Sequence, residues 1–588
     1  MRYLRTIRSL IACTIALLGA VNGSAQGFLH AQGDRLADGS GRPVLLRGMG
    51  LGGWMLQEPY MLQLSGGPVN QQEIRQQLET LVGIERTKAF YDAWLDGFVT
   101  RADIDSLAAW GFNSVRLPMH YNLFTLPVDR EPVKGRNTWL SKGFTLTDSL
   151  LRWCAAKRMY LILDLHAAPG GQGNDLPISD RDSSRAPLWQ DSAAQNKTVA
   201  LWTRLAERYA REPWIGAYDL INEPNWNFSN PQDRNGCNDS SNAPLRAFYM
   251  RLTTAVRRVD KNHLVIIEGN CWGNNYRGVL PPWDSNMALS FHKYWNDNNE
   301  GAIAGIADLR KRYGIPVWMG ESGENSNAWF RDAVELLERH DIGWAWWPHK
   351  KMGMNNPFEI PNNDDFRAVQ SWLKGRGRKP APDAAFRGLM QLARDSRTDR
   401  AHYHPDVVDA LFRQVGSHDT RPFQPHSIGP DTTVWAVHFD LGRNGEAYFA
   451  RDSGNYWVSS GKRTEWNRGW TFRNDPVDIL PCADSGIGFQ VASLGDREWL
   501  QYSVDVTAPG TYRLGLRLRA EGDAQPLLWV NGAAVKLDAT GGESWKYTRS
   551  EPVYLPAGRS RIRIGSAGEG LAVNYLRFEA LPDEKGSQ

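Results

Sequence analysis

The chain is poor in several things that would have pointed elsewhere. Its 588 residues carry 68 basic and 65 acidic side chains, a formal net charge of only +3. A balance this close gives no electrostatic reason to expect nucleic acid or an anionic membrane as partner. It has only 5 cysteines, and none of their spacings resembles a zinc site. No Gly-rich phosphate loop follows the first strand-like run, which argues against a nucleotide-binding open sheet. Long apolar runs are also missing. The one from Leu10 to Val21 is too short to span a bilayer. It follows Arg2, Arg5 and Arg8 and precedes Gly23-Ser24-Ala25, so residues 1–25 read as a secretory signal peptide cleaved after Ala25. Leu10-Ile11-Ala12-Cys13 resembles a lipoprotein box only faintly. The expectation is a secreted, periplasmic or extracellular protein with no membrane contact in its mature form, acting as a monomer. Export permits disulfides. Cys154 lies in a helical pattern and reads as a buried thiol. Cys237 and Cys271 follow strand ends on one face, so a bridge between them is open, although spacing alone does not fix pairing.

What is present is an alternation. From Gly27 to about Trp372, short apolar runs alternate with longer helical patterns. Eight such runs stand out: Leu45–Gly52, Ser114–Pro118, Tyr160–His166, Gly216–Glu223, Leu264–Gly269, Met287–Tyr294, Pro316–Glu321 and Ile342–Trp347. Several are continuously apolar, as strands buried on both faces are. The expected fold class is α/β: a (β/α)8 TIM barrel over residues 27–416, with two amphipathic helical pieces near its end. Residues 417–430 are polar and turn-rich and read as a linker. Residues 431–582 shift to short alternating strands, an all-β, jelly-roll-like sandwich.

In a parallel barrel, functional groups stand at the C-terminal ends of strands. Those ends carry Gly52-Gly53-Trp54 with Glu58, then Arg116, His166, Asn222-Glu223-Pro224, Trp272, His292 with Tyr294, Glu321, and Trp346-Trp347 with His349. Hydrolysis of a glycosidic bond needs two carboxyl groups flanking the anomeric carbon. Glu223 ends strand four and Glu321 ends strand seven, across the barrel mouth from each other. Asn222 is placed to donate to a sugar 2-hydroxyl, and Tyr294 to orient Glu321. Arg116 would keep Glu321 ionised, and that negative neighbour would raise the proton affinity of Glu223. His166 and His292 read as supporting site residues. Glu324 ranks below Glu321 because it lies further into the loop. Asp164 and Asp219 are expected to point into the barrel wall or towards helices. Trp54, Trp226, Trp272, Trp295, Trp329 and Trp347 follow strand ends, where aromatic rings can stack on sugar faces. Trp347 is the one expected to line the reacting sugar's site.

Asn222-Glu223-Pro224, His292 with Tyr294, Glu321 after an apolar strand, Val115-Arg116-Leu117-Pro118 and Asp164-Leu165-His166 together resemble glycoside hydrolase family 5. The resemblance implies a retaining enzyme with Glu223 as acid/base, Glu321 as nucleophile and a covalent glycosyl-enzyme intermediate. Leu51-Gly52-Gly53-Trp54 with Glu58-Pro59, and Asp164 through Gly170, are similar to the exo-β-1,3-glucanase branch, which implies that Glu58 bonds the terminal glucose. His120 and Pro348-His349-Lys350 depart from that branch. Residues 431–582 resemble carbohydrate-binding module family 6 through Asp440-Leu441-Gly442, Gly445 to Phe449, Val477-Asp478-Ile479, Arg497 to Tyr502, Gly510-Thr511-Tyr512 and Asn574 to Phe578. That family's calcium-holding glutamates stand here as Trp435 and Val437, so no cofactor or metal is expected, a structural calcium in this module being the alternative; a usual sugar-ligand asparagine stands as Ala572, which implies sugar binding that is weak, moved to another face or lost. Trp545 and Trp457 are candidate sugar platforms. The expected substrate is a β-1,3- or β-1,4-linked glucan. A β-mannanase, glycosylceramidase or transglycosylase would use the same site. A catalytically silent carbohydrate-binding protein and a structural envelope protein are the readings of other classes.

Overall fold

The computed structural model describes residues 27–454, 466–538 and 542–582; the expected signal segment and Trp457 lie outside them. A hairpin of β1 (His30–Gln32) and β2 (Arg35–Ala37) opens the fold. Then come β3 (Arg47–Gly50), β4 (Ser114–His120), β5 (Tyr160–Ala167), β6 (Ile215–Asp219), β7 (Leu264–Glu268), β8 (Met287–His292), β9 (Val317–Gly323) and β10 (Gly343–Trp347). These eight form a closed barrel, all neighbours parallel, with β10 pairing β3 to close it. Each falls within or overlaps one expected run. Every residue of β4, β5, β7 and β9 is buried, because helices cover the outside and side chains fill the inside. The β1–β2 hairpin was not foreseen. Its Leu36, with Leu29 and Leu46, packs against Tyr160 and Leu264 at the strand starts and closes the end opposite the site.

Beyond the barrel, helices Asp364–Leu373 and Pro382–Asp395 pack on each other, and helix Pro405–Leu411 packs on helix Asn327–Arg339. The C-terminal region is two facing sheets. One is built on Trp499–Val506, Gly558–Ala567 and Gln525–Val530; the other on Phe489–Leu494, Leu571–Ala580, Gly510–Ala520 and Gly542–Arg549. Inward residues such as Leu500, Tyr502, Leu514, Leu516, Ile562, Ile564, Val573 and Phe578 fill the space between them. The stretch 417–430 is bonded rather than loose. Arg421 pairs with Leu441, and Ser427–Ile428 pairs in parallel with Trp499–Val506. Its turn-rich composition reflects exposure, while its backbone groups still need partners. Among the described residues, no helix is long and apolar enough to cross a membrane.

Candidate active site

Five barrel strands converge on one cation. Arg116, on β4, has no exposed surface. It donates to Glu321 Oε2 at 2.8 Å, Asn222 Oδ1 at 2.7 Å, Asp219 Oδ2 at 3.1 Å and Glu268 Oε1 at 3.2 Å, and lies 3.3 Å from Asp164. Burial of a guanidinium opposes its charge, but four carboxylates outweigh it, and Arg116 is held well above its ordinary pKa. Removing any one partner would leave buried charge uncompensated.

Glu223 stands four residues past the end of β6, at a φ of 43°. Two bonds hold that left-handed turn in place: Asn222 N–H donates to Leu165 O at 3.1 Å, and Glu223 N–H donates to Glu268 Oε2 at 2.7 Å. The Glu223 carboxyl pairs with His292 Nδ1 at 2.6 Å. His292 Nε2 lies 3.2 Å from Glu268 Oε1, off the hydrogen-bonding direction. Burial works against charge on His292, but Glu268, Glu223 and Glu321 raise its pKa well above the usual value. Burial likewise pushes the Glu223 carboxyl up to about 7; His292 opposes the shift, and Glu321 and Glu268 add to it.

Glu321 comes from β9, where a register shift in the β8–β9 ladder sets it opposite His292. Arg116 holds one of its oxygens, and Tyr294 O–H donates to the other at 2.9 Å. One carboxylate oxygen of Glu223, one of Glu321 and a ring nitrogen of His292 lie within 4.8 Å of one another. Such a trio has the spacing of a cation site. Here, however, His292 Nδ1 is paired with Glu223, and Arg116 and Tyr294 hold the oxygens of Glu321, so these atoms are already engaged with protein groups.

Trp347 forms one wall of the site. Its ring stacks on His166 at 5.1 Å, and its Nε1–H donates to Tyr60 Oη at 3.1 Å. A Cβ on Gly50 or Gly52 would fall 2.6 or 2.7 Å from that ring, so only glycine lets the indole lie flat on the first strand's end. Tyr60 also bonds Glu324. Glu58 is buried beside them, and burial followed by Glu321, Glu324 and Glu223 raises its pKa well above the carboxylate range. Across the mouth, the Cys237–Cys271 disulfide holds Trp272, whose Nε1–H donates to Asp175 at 3.1 Å and whose N–H donates to Pro224 O.

Residues 66–353 match the family model "Cellulase (glycosyl hydrolase family 5)". The barrel is a family 5-like glycoside hydrolase domain. The chain is 28% identical over 437 residues to a β-xylosidase of Phanerodontia chrysosporium, covering 66% of this chain and 87% of that protein. It is 31% identical over 258 residues to a probable glucan 1,3-β-glucosidase A of Aspergillus niger, covering 42% of this chain and 55% of the relative. It is 24% identical over 343 residues to endoglucanase C of Acetivibrio thermocellus, covering 48% and 91%.

In this hydrolase domain Glu223, Glu321, Glu58, Arg116, His166, Asn222, His292, Tyr294 and Trp347 gather at one end of the barrel. Asp164 and Asp219 depart from expectation. Both point inward onto Arg116, and Asp164 also bonds His166 Nδ1 at 2.7 Å. A fully buried arginine needs that charge around it. Trp54 and Trp329 are core: each is buried and donates its indole N–H to a backbone carbonyl, Leu95 O and Asn296 O. Glu268 was missed. It is the last residue of β7, and its position at a strand end was the available signal. Tyr60 and Gln172 carried none; Gln172, in the loop after β5, donates to the carbonyls of both His166 and Asn222.

Proposed function

We propose that the protein is a retaining β-glycosidase that cleaves β-linked glucan through a covalent glycosyl-enzyme intermediate. The observation that carries this reading is the unlike pair of glutamates whose oxygens approach within 4.8 Å. A retaining mechanism needs its carboxyl groups about 5–5.5 Å apart, whereas an inverting one leaves room for a water at about 6.5–9.5 Å. Glu223, raised to about 7, is protonated in mildly acidic solution and donates to the leaving oxygen as the C–O bond breaks. Glu321, with Arg116 and Tyr294 on its two oxygens, attacks the anomeric carbon and forms the glycosyl ester. The leaving sugar departs, and Glu223, now a carboxylate, takes a proton from water as that water cleaves the ester. Asn222, beside Glu223, is placed for the sugar 2-hydroxyl. Glu58, His166 and Trp347 are placed for the glycone ring.

The relatives named as a glucan 1,3-β-glucosidase and an endoglucanase support glucan as substrate, with a β-1,3 or β-1,4 linkage. The relative named as a β-xylosidase supports β-xylosides as the second reading. The C-terminal sandwich is proposed to hold the enzyme near polymer. An exported enzyme suits the Cys237–Cys271 bridge. The test incubates the purified protein and its Glu321→Gln variant with β-glucans, xylan, mannan and aryl glycosides, following products by proton NMR. Release by wild type alone, with the β-anomer first, supports the reading. An α-anomer first, or turnover by the variant, would remove the retaining assignment.

A further inference from the structure

The loop after β9 is held by the other domain. Three residues past Glu321, Glu324 adopts a φ of 55°, a left-handed conformation that a residue with a side chain keeps only where its surroundings impose it. Glu324 bonds Tyr60, and Tyr60 accepts from Trp347, so this loop sets part of the site's wall. The next three residues, Asn325, Ser326 and Asn327, are buried against the sandwich. Asn474 Nδ2 donates to Asn325 O at 2.9 Å and to Asn327 Oδ1 at 3.0 Å. Ser326 Oγ donates to Gly454 O. Asn327 begins helix Asn327–Arg339, where backbone N–H groups lack partners inside the helix. Its N–H donates to Asn474 O at 3.1 Å. Its side chain donates to Asp475 at 2.9 Å and to Asp406, at the barrel domain's end, at 2.8 Å. Arg473 grips Asp475 and the carbonyls of Phe439 and Asp440, which ties the segment to the sandwich interior. A tether would need none of these bonds, and a flexible module could not make them.

We propose that the sandwich segment 473–475 is a positioning element of the active site: Asn474 and Asp475 fix the loop after β9, and through Glu324 and Tyr60 the wall that receives the sugar. This rests on the glycosidase reading given above, but the bonds themselves do not. The experiment uses the full chain and compares wild type with Asn474→Ala, Asn327→Ala and Ile562→Ala. Ile562 is buried in the sandwich core, and its truncation weakens that domain without touching the loop. Each protein is measured by melting temperature, by hydrogen exchange across residues 321–330, and by kcat and KM on an aryl β-glycoside. Asn474→Ala and Asn327→Ala are expected to speed exchange in 321–330 about tenfold or more, since each loses three buried side-chain hydrogen bonds. They are expected to lower kcat/KM about tenfold, mostly through KM. Ile562→Ala lowers the melting temperature and leaves exchange in 321–330 and KM unchanged. If Asn474→Ala does not fold, Asn474→Ser takes its place. Unchanged exchange and KM in folded Asn474 and Asn327 variants overturn the proposal. So does a matching KM rise in Ile562→Ala. If wild type cleaves no glycoside, the proposed function falls, and the exchange data alone decide the positioning role.

Discussion

The two halves of the molecule differ in how much charge they gather at one place. The barrel mouth buries Arg116, Asp164, Asp219 and Glu268 completely, with Glu223, Glu321 and Glu58 nearly so. The sandwich fills its centre with aliphatic and aromatic side chains and leaves many of its ion pairs at the surface, such as Arg549–Glu579 and Arg577–Asp431. Buried charge gives little net stability and often costs some. The sandwich's buried Arg473–Asp475 pair lies at the seam with the barrel, whereas the cluster around Arg116 gathers several charges at one mouth, which marks where the chain gives up stability. The sandwich instead carries aromatics on an outer face: Trp435 lies edge-on to Tyr575 at 5.6 Å, with Tyr547 at 6.3 Å beyond. Trp545, expected as a platform, lies on the same sheet with the Arg519 guanidinium 5.7 Å over its ring. Weak, spread-out stacking suits holding a polymer, and a preorganised charged pocket suits breaking one.

Three substitutions would break or sharpen that contrast. The largest effect belongs to Glu223→Gln, which should lower kcat/KM on poorly activated glycosides about 10²–10⁴-fold. Wild-type kcat/KM should fall as pH rises through about 7, because Glu223 in its protonated form is the proposed acid. A descending limb that survives in the Gln variant would assign that titration to another group. Next comes Glu268→Ala, which strips Arg116 and His292 of a buried partner. It should destabilise the protein by about 3–5 kcal/mol in denaturant unfolding. It should also release the Glu223 backbone turn, lowering activity alongside. A neutral result would mean that the mouth tolerates unpaired charge as the surface does. The smallest effect belongs to Tyr575→Ala on the sandwich. It should weaken retention on insoluble β-glucan by about 0.5–1.5 kcal/mol and leave turnover of an aryl glycoside unchanged. Loss of turnover instead would erase the division of labour between the halves.

Reading the chain alone reached the two glutamates at the barrel mouth better than the groups that surround them. Glu223 and Glu321 were legible because each closes a recognisable β-rich run, and strand ends are where barrel sites form. Glu268 closes such a run too, but a lone glutamate after Leu-Val-Ile-Ile says nothing of the arginine it meets. The tryptophans divided only in three dimensions. Trp347 lines the mouth because Gly50 and Gly52 leave room for its ring, whereas Trp54 and Trp329, equally near strand ends, turn inward to carbonyls.

The sequence by itself determined the eight-stranded barrel, the all-β partner and the two glutamates. Those follow from local hydrophobic period and from residue type at element ends, which act over a few residues. Only the tertiary structure decided that one buried arginine would gather carboxylates from β5, β6, β7 and β9, that Asp164 and Asp219 would face it, and that the sandwich would bond the loop beside Glu321. Those outcomes depend on which groups lose water together. Desolvation brings charges from distant parts of the chain into one balance, and no stretch of sequence carries that balance alone.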